Sequence, residues 1–359
     1  MAGIYVHIPF CKTRCIYCDF YSTVDSTLRT PYVDALCHEL GLRASYLQDA
    51  PVDTIYIGGG TPSALSVVPD LYEILTTIRR VYDVSPTAEI TLEANPDDLT
   101  PQYVALLRHL PVNRLSIGIQ TFDDRLLHLL RRRHTALQAI RAFERCRAAG
   151  FDNISIDLMY GLPGETDEQW AYDLQQATLL DAEHISAYHL TIEPGTPLAR
   201  MTHLQTVDED TGLRFFSMLI DTLQAAGYEH YEISNFCRPG RRSRHNSAYW
   251  QGVPYLGCGA AAHSFDGTSR RWNVASAHTY IHNLEAGLPY SETEYLDTPT
   301  RYNEYLMTGL RTRRGISLHE VDTLFGPTLR RYLARQMTRP LQAGLLEPHA
   351  DRIRFSRRG

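Results

Sequence analysis

Three cysteines lie close together near the start of the chain, at Cys11, Cys15 and Cys18. Three residues separate the first pair and two separate the second, so three thiolates can bind three irons of a cubane cluster. The fourth iron is then left without a protein ligand. A vacant metal position is what a catalytic centre requires, because a cofactor or substrate can bind there. The motif therefore predicts a [4Fe–4S] cluster on these three residues.

A cluster with one vacant iron is typical of radical S-adenosylmethionine (SAM) chemistry. The vacant iron chelates the amino and carboxylate groups of SAM, and one electron from the cluster cleaves the sulfonium to give a 5′-deoxyadenosyl radical. The alternative is a structural zinc site, which usually has four ligands in two pairs. No second Cys or His pair follows at zinc-finger distance. We therefore predict that SAM is a cofactor.

Composition narrows the class of protein. The chain has 359 residues, of which 43% are hydrophobic and 21% charged, as in ordinary globular proteins. Its net charge of −6 gives no general attraction to nucleic acid, so we expect no nucleic-acid partner. Seven cysteines, an odd number, favour a reducing compartment over a disulfide framework. Because neither a secretory leader nor a long apolar segment is apparent, we expect a cytoplasmic location.

Short apolar runs alternate with amphipathic helical segments over the first half of the chain, which predicts a parallel sheet built from βα units. Hydrophobic periodicity does not distinguish a closed barrel from an open, partial one. The six predicted strands are Ile4–Ile8, Thr54–Ile57, Ala88–Leu92, Arg114–Ile119, Asn153–Leu158 and His184–Tyr188.

Polar and glycine residues follow these predicted strands, where α/β folds carry their chemistry. A loop with Gly59, Gly60 and Thr61 follows the second strand, and consecutive glycines let backbone N–H groups approach a ligand. The alternative interpretation of this loop is a simple turn. Four further side chains are candidates because carboxylates can bind ribose hydroxyls and an arginine can neutralise the SAM carboxylate: Glu93, Gln120, Arg132 and Asp157. Each could instead be a cap or a solvated side chain, Arg132 above all, because arginines flank it on both sides.

The pattern changes beyond residue 200. An arginine-rich loop is followed by a glycine- and alanine-rich stretch, and the last 60 residues or so resemble a small helical, winged-helix-like unit with a terminal strand, Arg352–Phe355. We predict a core over 1–235, a linking region over 236–298 and a C-terminal domain over 299–359.

Several motifs together resemble the oxygen-independent coproporphyrinogen oxidase superfamily. They are Tyr5–Cys11, the glycine loop, Ser116–Gln120 and Asp157–Gly164. The resemblance implies a partial TIM-like (βα)6 radical SAM barrel followed by a HemN-type C-terminal domain. It also implies a SAM site on Tyr5, Gly59, Gly60, Thr61, Glu93, Gln120, Arg132 and Asp157.

Within that superfamily the chain is most similar to the branch of heme chaperones. The oxidases carry a further cysteine two residues after the third cluster cysteine, whereas this chain has Phe20, and they have a longer arm before the cluster motif. The segment His245–Trp250 matches the HNxxYW heme-binding motif of the chaperone branch. A neutral imidazole is a good axial ligand for heme iron, so His245 is predicted to bind heme. The alternative is a loop histidine that is hydrogen-bonded to its neighbours.

The resemblance thus predicts a heme chaperone that delivers heme to respiratory hemoproteins, with the cluster and SAM in a supporting role. It also implies a homodimer and association with the inner face of the cell membrane. Two other hypotheses remain: an oxygen-independent coproporphyrinogen III oxidase, which Phe20 disfavours, and a radical SAM enzyme with another substrate.

Overall fold

The computed structural model describes residues 1–201 and 203–359. Its main feature is a sheet of 12 strands, followed by a separate sheet of 3 strands near the C-terminus. The strands are β1 Ala2–Ile8, β2 Val52–Gly59, β3 Val84–Ala94, β4 Arg114–Gln120, β5 Ile154–Tyr160, β6 His184–His189, β7 Glu229–Glu232, β8 Asn235–Cys237, β9 Tyr255–Cys258, β10 His263–Phe265, β11 Ser269–Asn273, β12 Ser291–Tyr295, β13 Ile316–Ser317, β14 Leu346–His349 and β15 Arg352–Phe355.

Helices cover the outer face of the large sheet and form most of the C-terminal region. They are α1 Arg29–Leu42, α2 Tyr72–Val81, α3 Pro101–Leu107, α4 Asp124–Leu129, α5 Ala136–Ala148, α6 Asp167–Leu180, α7 Glu209–Ala225, α8 Arg244–Trp250, α9 Ala277–Ala286, α10 Thr298–Leu310 and α11 Leu318–Gln342. Two of them begin with a capping box. The side chains of Thr135 and Thr166 accept from the backbone N–H of the third helical residue, a glutamine, whose side chain accepts from the backbone N–H of the threonine. Local sequence therefore fixes where α5 and α6 start.

The first six strands run parallel in chain order, so the predicted βα sheet is confirmed. Each predicted strand lies within, or within one residue of, an observed one. The sheet is open: β1 pairs on its other side with β9, and β6 pairs with β8, so β1 and β6 do not pair with each other. Apolar side chains from these strands and from the helices that pack on them form one continuous buried core.

Strands from the predicted linking region belong to the same sheet as the core. β9 runs parallel to β1, and β10, β11 and β12 follow it antiparallel. Strands β9 to β12 of this segment therefore extend the core sheet beyond β1, whereas β8 at its start pairs with β6. The predicted boundaries at 235 and 298 stay predictions.

The C-terminal region combines α10 and α11 with the small sheet in the order β13-β15-β14. The predicted terminal strand is observed as β15. Gly326 has φ of 84° and is followed by Pro327, so α11 is two helical pieces joined at a kink. In the part of the chain that the structure describes, no helix is both long and apolar enough to cross a membrane.

Candidate functional site

The carboxyl ends of the parallel strands surround a cavity of about 590 Å³. Because parallel strands end at the same edge of a sheet, the loops that follow them meet there. The cavity wall includes most of the residues that the sequence singled out: Cys11, Cys15, Cys18, Gly59, Gly60, Thr61, Glu93, Gln120, Arg132 and Asp157. Tyr5 and His245 are not part of this wall.

The three cysteines lie on the loop after β1, and none of them forms a disulfide with another described residue. Backbone hydrogen bonds between Cys11 and Thr23 (2.9 Å) and between Thr23 and Pro9 (2.7 Å) close the loop. Burial raises the pKa of the Cys11 and Cys18 thiols, so iron would have to displace their protons. Within 1–201 and 203–359 no three His, Cys, Asp or Glu side chains converge on one ion. A cubane does not require such convergence, because each thiolate binds its own iron.

Arg132 joins the cluster loop to two neighbouring strands. Its guanidinium donates to the side-chain oxygen of Asn95 and to the carbonyl of Gly118, both at 2.7 Å, and lies 3.4 Å from the sulfur of Cys15. Its Nε is buried without a hydrogen-bond partner among the described residues. This side chain is therefore turned into the cavity and is not part of a solvated helix face. It keeps one donor available for a bound anion.

The glycine loop is shaped by its packing on β1. Gly59 has φ of +112°, and a Cβ there would lie 2.7 Å from the His7 ring. A Cβ on Gly60 would lie 2.8 Å from the backbone of Pro9. These contacts explain both glycines without a ligand. The following residue, Thr61, donates from its hydroxyl to the sulfur of Cys11 at 3.3 Å, so the loop is tied to the cluster cysteines.

Two buried carboxyl groups belong to the same cavity wall as the cysteines. Glu93 accepts from the Tyr56 hydroxyl at 2.6 Å and from the backbone N–H of Gly59 at 3.1 Å. Burial raises the pKa of Glu93 to about 7; the Tyr56 hydrogen bond opposes this rise and the charge of Asp157 adds to it. Burial also raises the pKa of Asp157, against the hydrogen bonds that it accepts from serine hydroxyls. Glu93 can therefore change protonation near neutral pH.

Gln120 ends β4 with φ of 74°, an uncommon conformation for a residue with a side chain. The alternate residues of the same strand, Arg114, Ser116 and Gly118, also line the cavity. Sequence analysis singled out the last residue of this face and missed Arg114, which is 1% exposed. Alternate residues of a strand share a face, so counting back in steps of two from Gln120 along β4 would have indicated Arg114. Asn95, the partner of Arg132, was missed because that contact is a tertiary one.

Tyr5 lies beside the cavity wall and not in it. Its hydroxyl hydrogen-bonds the Nδ1 atom of His7 at 3.0 Å, and its ring stacks on Tyr56 with centroids 6.3 Å apart. The structure therefore places Tyr5 behind Tyr56, where it supports the wall. Its predicted contact with SAM stays a prediction.

His245 is buried at 1% exposure, with both ring nitrogens engaged. Nδ1 hydrogen-bonds the Thr54 hydroxyl and Nε2 the Tyr249 hydroxyl, both at 2.8 Å. The ring also stacks on Tyr56 at 5.2 Å. Burial, with the nearby charge of Arg114, lowers the pKa of His245 to about 3, so the imidazole is neutral. Binding iron would require one of these hydrogen bonds to break, and axial ligation by His245 stays a prediction.

The short helix α8 separates two cavities. Asn246 lines the cavity at the strand ends, whereas Tyr249 and Trp250 line a second cavity on the side of the C-terminal domain. The four arginines near α8 all have acidic partners at the surface: Arg238 with Asp181, Arg241 with Asp152, Arg242 with Glu229 and Arg244 with Asp53.

The chain is similar to known proteins over nearly its whole length. The model of the radical SAM superfamily matches residues 5–177, and that of the HemN C-terminal domain matches residues 296–359. A protein of Bacillus subtilis named heme chaperone HemW is 38% identical over 92% of this chain and 88% of its own length. A protein of the same name from Mycobacterium tuberculosis is 36% identical over 99% of this chain and 91% of its own length.

The fold is also that of a solved structure. Coproporphyrinogen III oxidase (HemN) from Escherichia coli, described as a radical SAM enzyme, superposes with a TM-score of 0.86. The match covers 100% of this chain and 87% of that one, at 22% sequence identity, and this likeness concerns the fold alone. The identities above run over nearly the whole length of both chains, so this chain belongs to the HemW family of heme chaperones within the radical SAM superfamily.

Proposed function

We propose that this protein is a heme chaperone that binds heme together with a [4Fe–4S] cluster and SAM and passes the heme to respiratory hemoproteins. The observation that carries the proposal is the end-to-end similarity to proteins named heme chaperone HemW, at 36% to 38% identity. The position of α8 adds support, because the helix that carries the HNxxYW motif contacts both cavities.

The residues at the strand ends fit a cluster and SAM. Cys11, Cys15 and Cys18 would hold the cluster, and the unpartnered Nε of Arg132 is suited to the SAM carboxylate. The buried carboxyl of Glu93 can accept from hydroxyl or amino groups of the ligand. A bound cluster would supply the one-electron reduction on which radical SAM chemistry depends. The residues of the cavity wall would orient SAM beside the cluster.

A continuous set of contacts runs from the glycine loop to α8. The N–H of Gly59 donates to Glu93, Glu93 accepts from Tyr56, Tyr56 stacks on His245, and His245 bonds Tyr249. A ligand that draws Glu93 away from Tyr56 would therefore loosen the packing around His245. We infer that SAM and heme influence each other's binding through Tyr56.

Heme titration tests the role of the motif. We expect wild-type protein to give a Soret band on addition of heme and His245→Ala to lose or shift it. The matched control is His184→Ala, because His184 is also fully buried and hydrogen-bonds two hydroxyls, of Ser155 and Tyr231, both at 2.7 Å. If both variants give the wild-type spectrum, His245 does not ligate heme. If wild-type protein binds no heme, the proposed function is wrong.

The alternative function, oxidation of coproporphyrinogen III, is less well supported. Phe20 lines the cavity and is 68% exposed at the position where the oxidases that the sequence resembles carry a further cysteine. Reconstituted protein should therefore form little protoporphyrinogen from coproporphyrinogen III, SAM and a reductant. Robust product formation would reverse the ranking of the two functions.

Three further proposals concern the location and the oligomeric state of the protein. We propose that it works in the cytoplasm, that it associates with the inner face of the cell membrane and that it forms a homodimer. Co-sedimentation with vesicles that contain anionic lipid tests the membrane association, and analytical ultracentrifugation tests the dimer. Transfer of heme from the loaded protein to an apo-hemoprotein of the respiratory chain, followed by its spectrum, tests the recipient.

A further inference from the structure

A second cavity, of about 730 Å³, lies between the core and the C-terminal domain. Its walls come from β7, from α8 with the segments on either side of it, from α10 with the loop that follows it, from α11, and from Arg352 on β15. Its size is within the range of ligand sites in proteins. None of the cluster or SAM residues named above lines it.

Five arginines and two glutamates are the charged side chains of this wall. Two of the arginines are balanced individually, Arg270 by Glu304 at 2.8 Å and Arg242 by Glu229 at 3.1 Å. Glu320 is shared by Arg314 and Arg352, so one charge of that pair has no counterion. Arg301 has no ion pair among the described residues. Two positive charges of the cavity therefore lack a negative partner.

The rest of the wall is rich in aromatic side chains. Trp250, Tyr255 and Phe265 line it on the core side, and Tyr305 and Phe325 on the side of the C-terminal domain. The Nε1 atom of Trp250 is buried with no hydrogen-bond partner in the described chain. The aromatic rings come from both sides of the cavity, and the arginines without a full counterion come from the C-terminal domain. Such a wall suits a flat apolar ligand that carries two anionic groups.

We propose that this cavity holds the porphyrin ring of heme, with Arg301 and Arg314 binding the two propionates and Trp250 packing on the ring. The inference rests on the proposed function and assigns a place to the heme. Tyr249, whose hydroxyl bonds His245, also lines the cavity, so the seat adjoins the HNxxYW motif. The proposed site recognises the porphyrin ring and its carboxylates, so a porphyrin without iron should also bind there.

Iron-free protoporphyrin IX is therefore the decisive probe, alongside heme. We expect Arg301→Gln and Arg314→Gln each to weaken the binding of both ligands about tenfold, because each removes a charge-assisted hydrogen bond to a carboxylate. The matched control, Arg313→Gln, changes an exposed arginine next to Arg314 that lies outside the cavity wall, and should stay within about twofold of wild type.

Two further measurements separate the outcomes. The dimethyl ester of protoporphyrin should bind the wild-type protein and the arginine variants alike, because it carries no propionate charge. Quenching of tryptophan fluorescence by protoporphyrin should shrink in Trp250→Phe. If wild-type protein binds heme but both arginine variants keep full affinity, the seat is elsewhere and the chaperone function stands. If wild-type protein binds neither heme nor protoporphyrin, the function itself fails.

Discussion

Replacement of Glu93 by glutamine should change how the stability of the protein depends on pH. The pKa of this carboxyl rises from its ordinary 4.5 to about 7 in the folded chain, chiefly because the group is buried. Below pH 4.5 the carboxyl is protonated in the folded and in the unfolded chain, so it does not make the free energy of unfolding depend on pH. Between 4.5 and 7 the unfolded chain releases the proton while the folded chain keeps it, so rising pH favours unfolding.

The size of the effect follows from the shift. One pKa unit corresponds to about 1.4 kcal/mol, so Glu93 should lower the free energy of unfolding by about 3 kcal/mol across this interval. Above pH 7 the loss stays constant, because both states are ionised. Glu93→Gln cannot ionise, so the variant should lack this loss. It should be less stable than wild type by about 1 kcal/mol at acidic pH, because the amide offers one acceptor oxygen to Tyr56 and Gly59.

The measurement is urea denaturation of the cluster-free protein at several pH values from 4.5 to 8, with the variant compared to wild type at each pH. Taking the difference removes the titration of buried carboxyls that do not interact with Glu93, such as Asp173, whose pKa burial raises to about 7. Glu73→Gln, an exposed change on α2, is the control and should run parallel to wild type. If the difference in the free energy of unfolding between Glu93→Gln and wild type also does not change with pH, the folded chain does not keep Glu93 protonated and the reasoning is wrong.

Two further predictions concern the cluster and SAM. Cys15→Ser should abolish the visible absorption and most of the iron of anaerobically reconstituted protein. Cys37 is a half-buried cysteine outside the cavity, so Cys37→Ser should keep both. Equal iron in the two variants would refute the cluster site. Arg132→Lys should keep the iron but weaken SAM binding at least tenfold in equilibrium dialysis, because a lysine cannot reach Asn95 and Gly118 and still face the ligand. Arg125→Lys on α4 is its control, and unchanged SAM affinity in Arg132→Lys would exclude the proposed contact.

The local sequence determined the features that depend on neighbours in the chain. The spacing of Cys11, Cys15 and Cys18 predicts a vacant iron because ligand number depends on the short loop itself. The alternation of apolar runs and helices predicted the parallel sheet, and with it the single edge where the polar residues meet. The starts of α5 and α6 were likewise set by their own Thr and Gln residues.

Partners that are distant in the chain were decided only by the tertiary structure. The sequence allows Arg132 to be a solvated side chain, and its hydrogen bonds to Asn95 and Gly118 in the folded chain exclude this. His245 fits a heme motif, yet Thr54, 191 residues away, occupies one of its nitrogens. Only the fold places Arg301, Arg314 and Arg352 in one cavity with Trp250, because the wall of that cavity combines α8 with the C-terminal domain. A sequence pattern records which groups are present, whereas burial and charge balance depend on which distant groups the fold brings within a few ångströms.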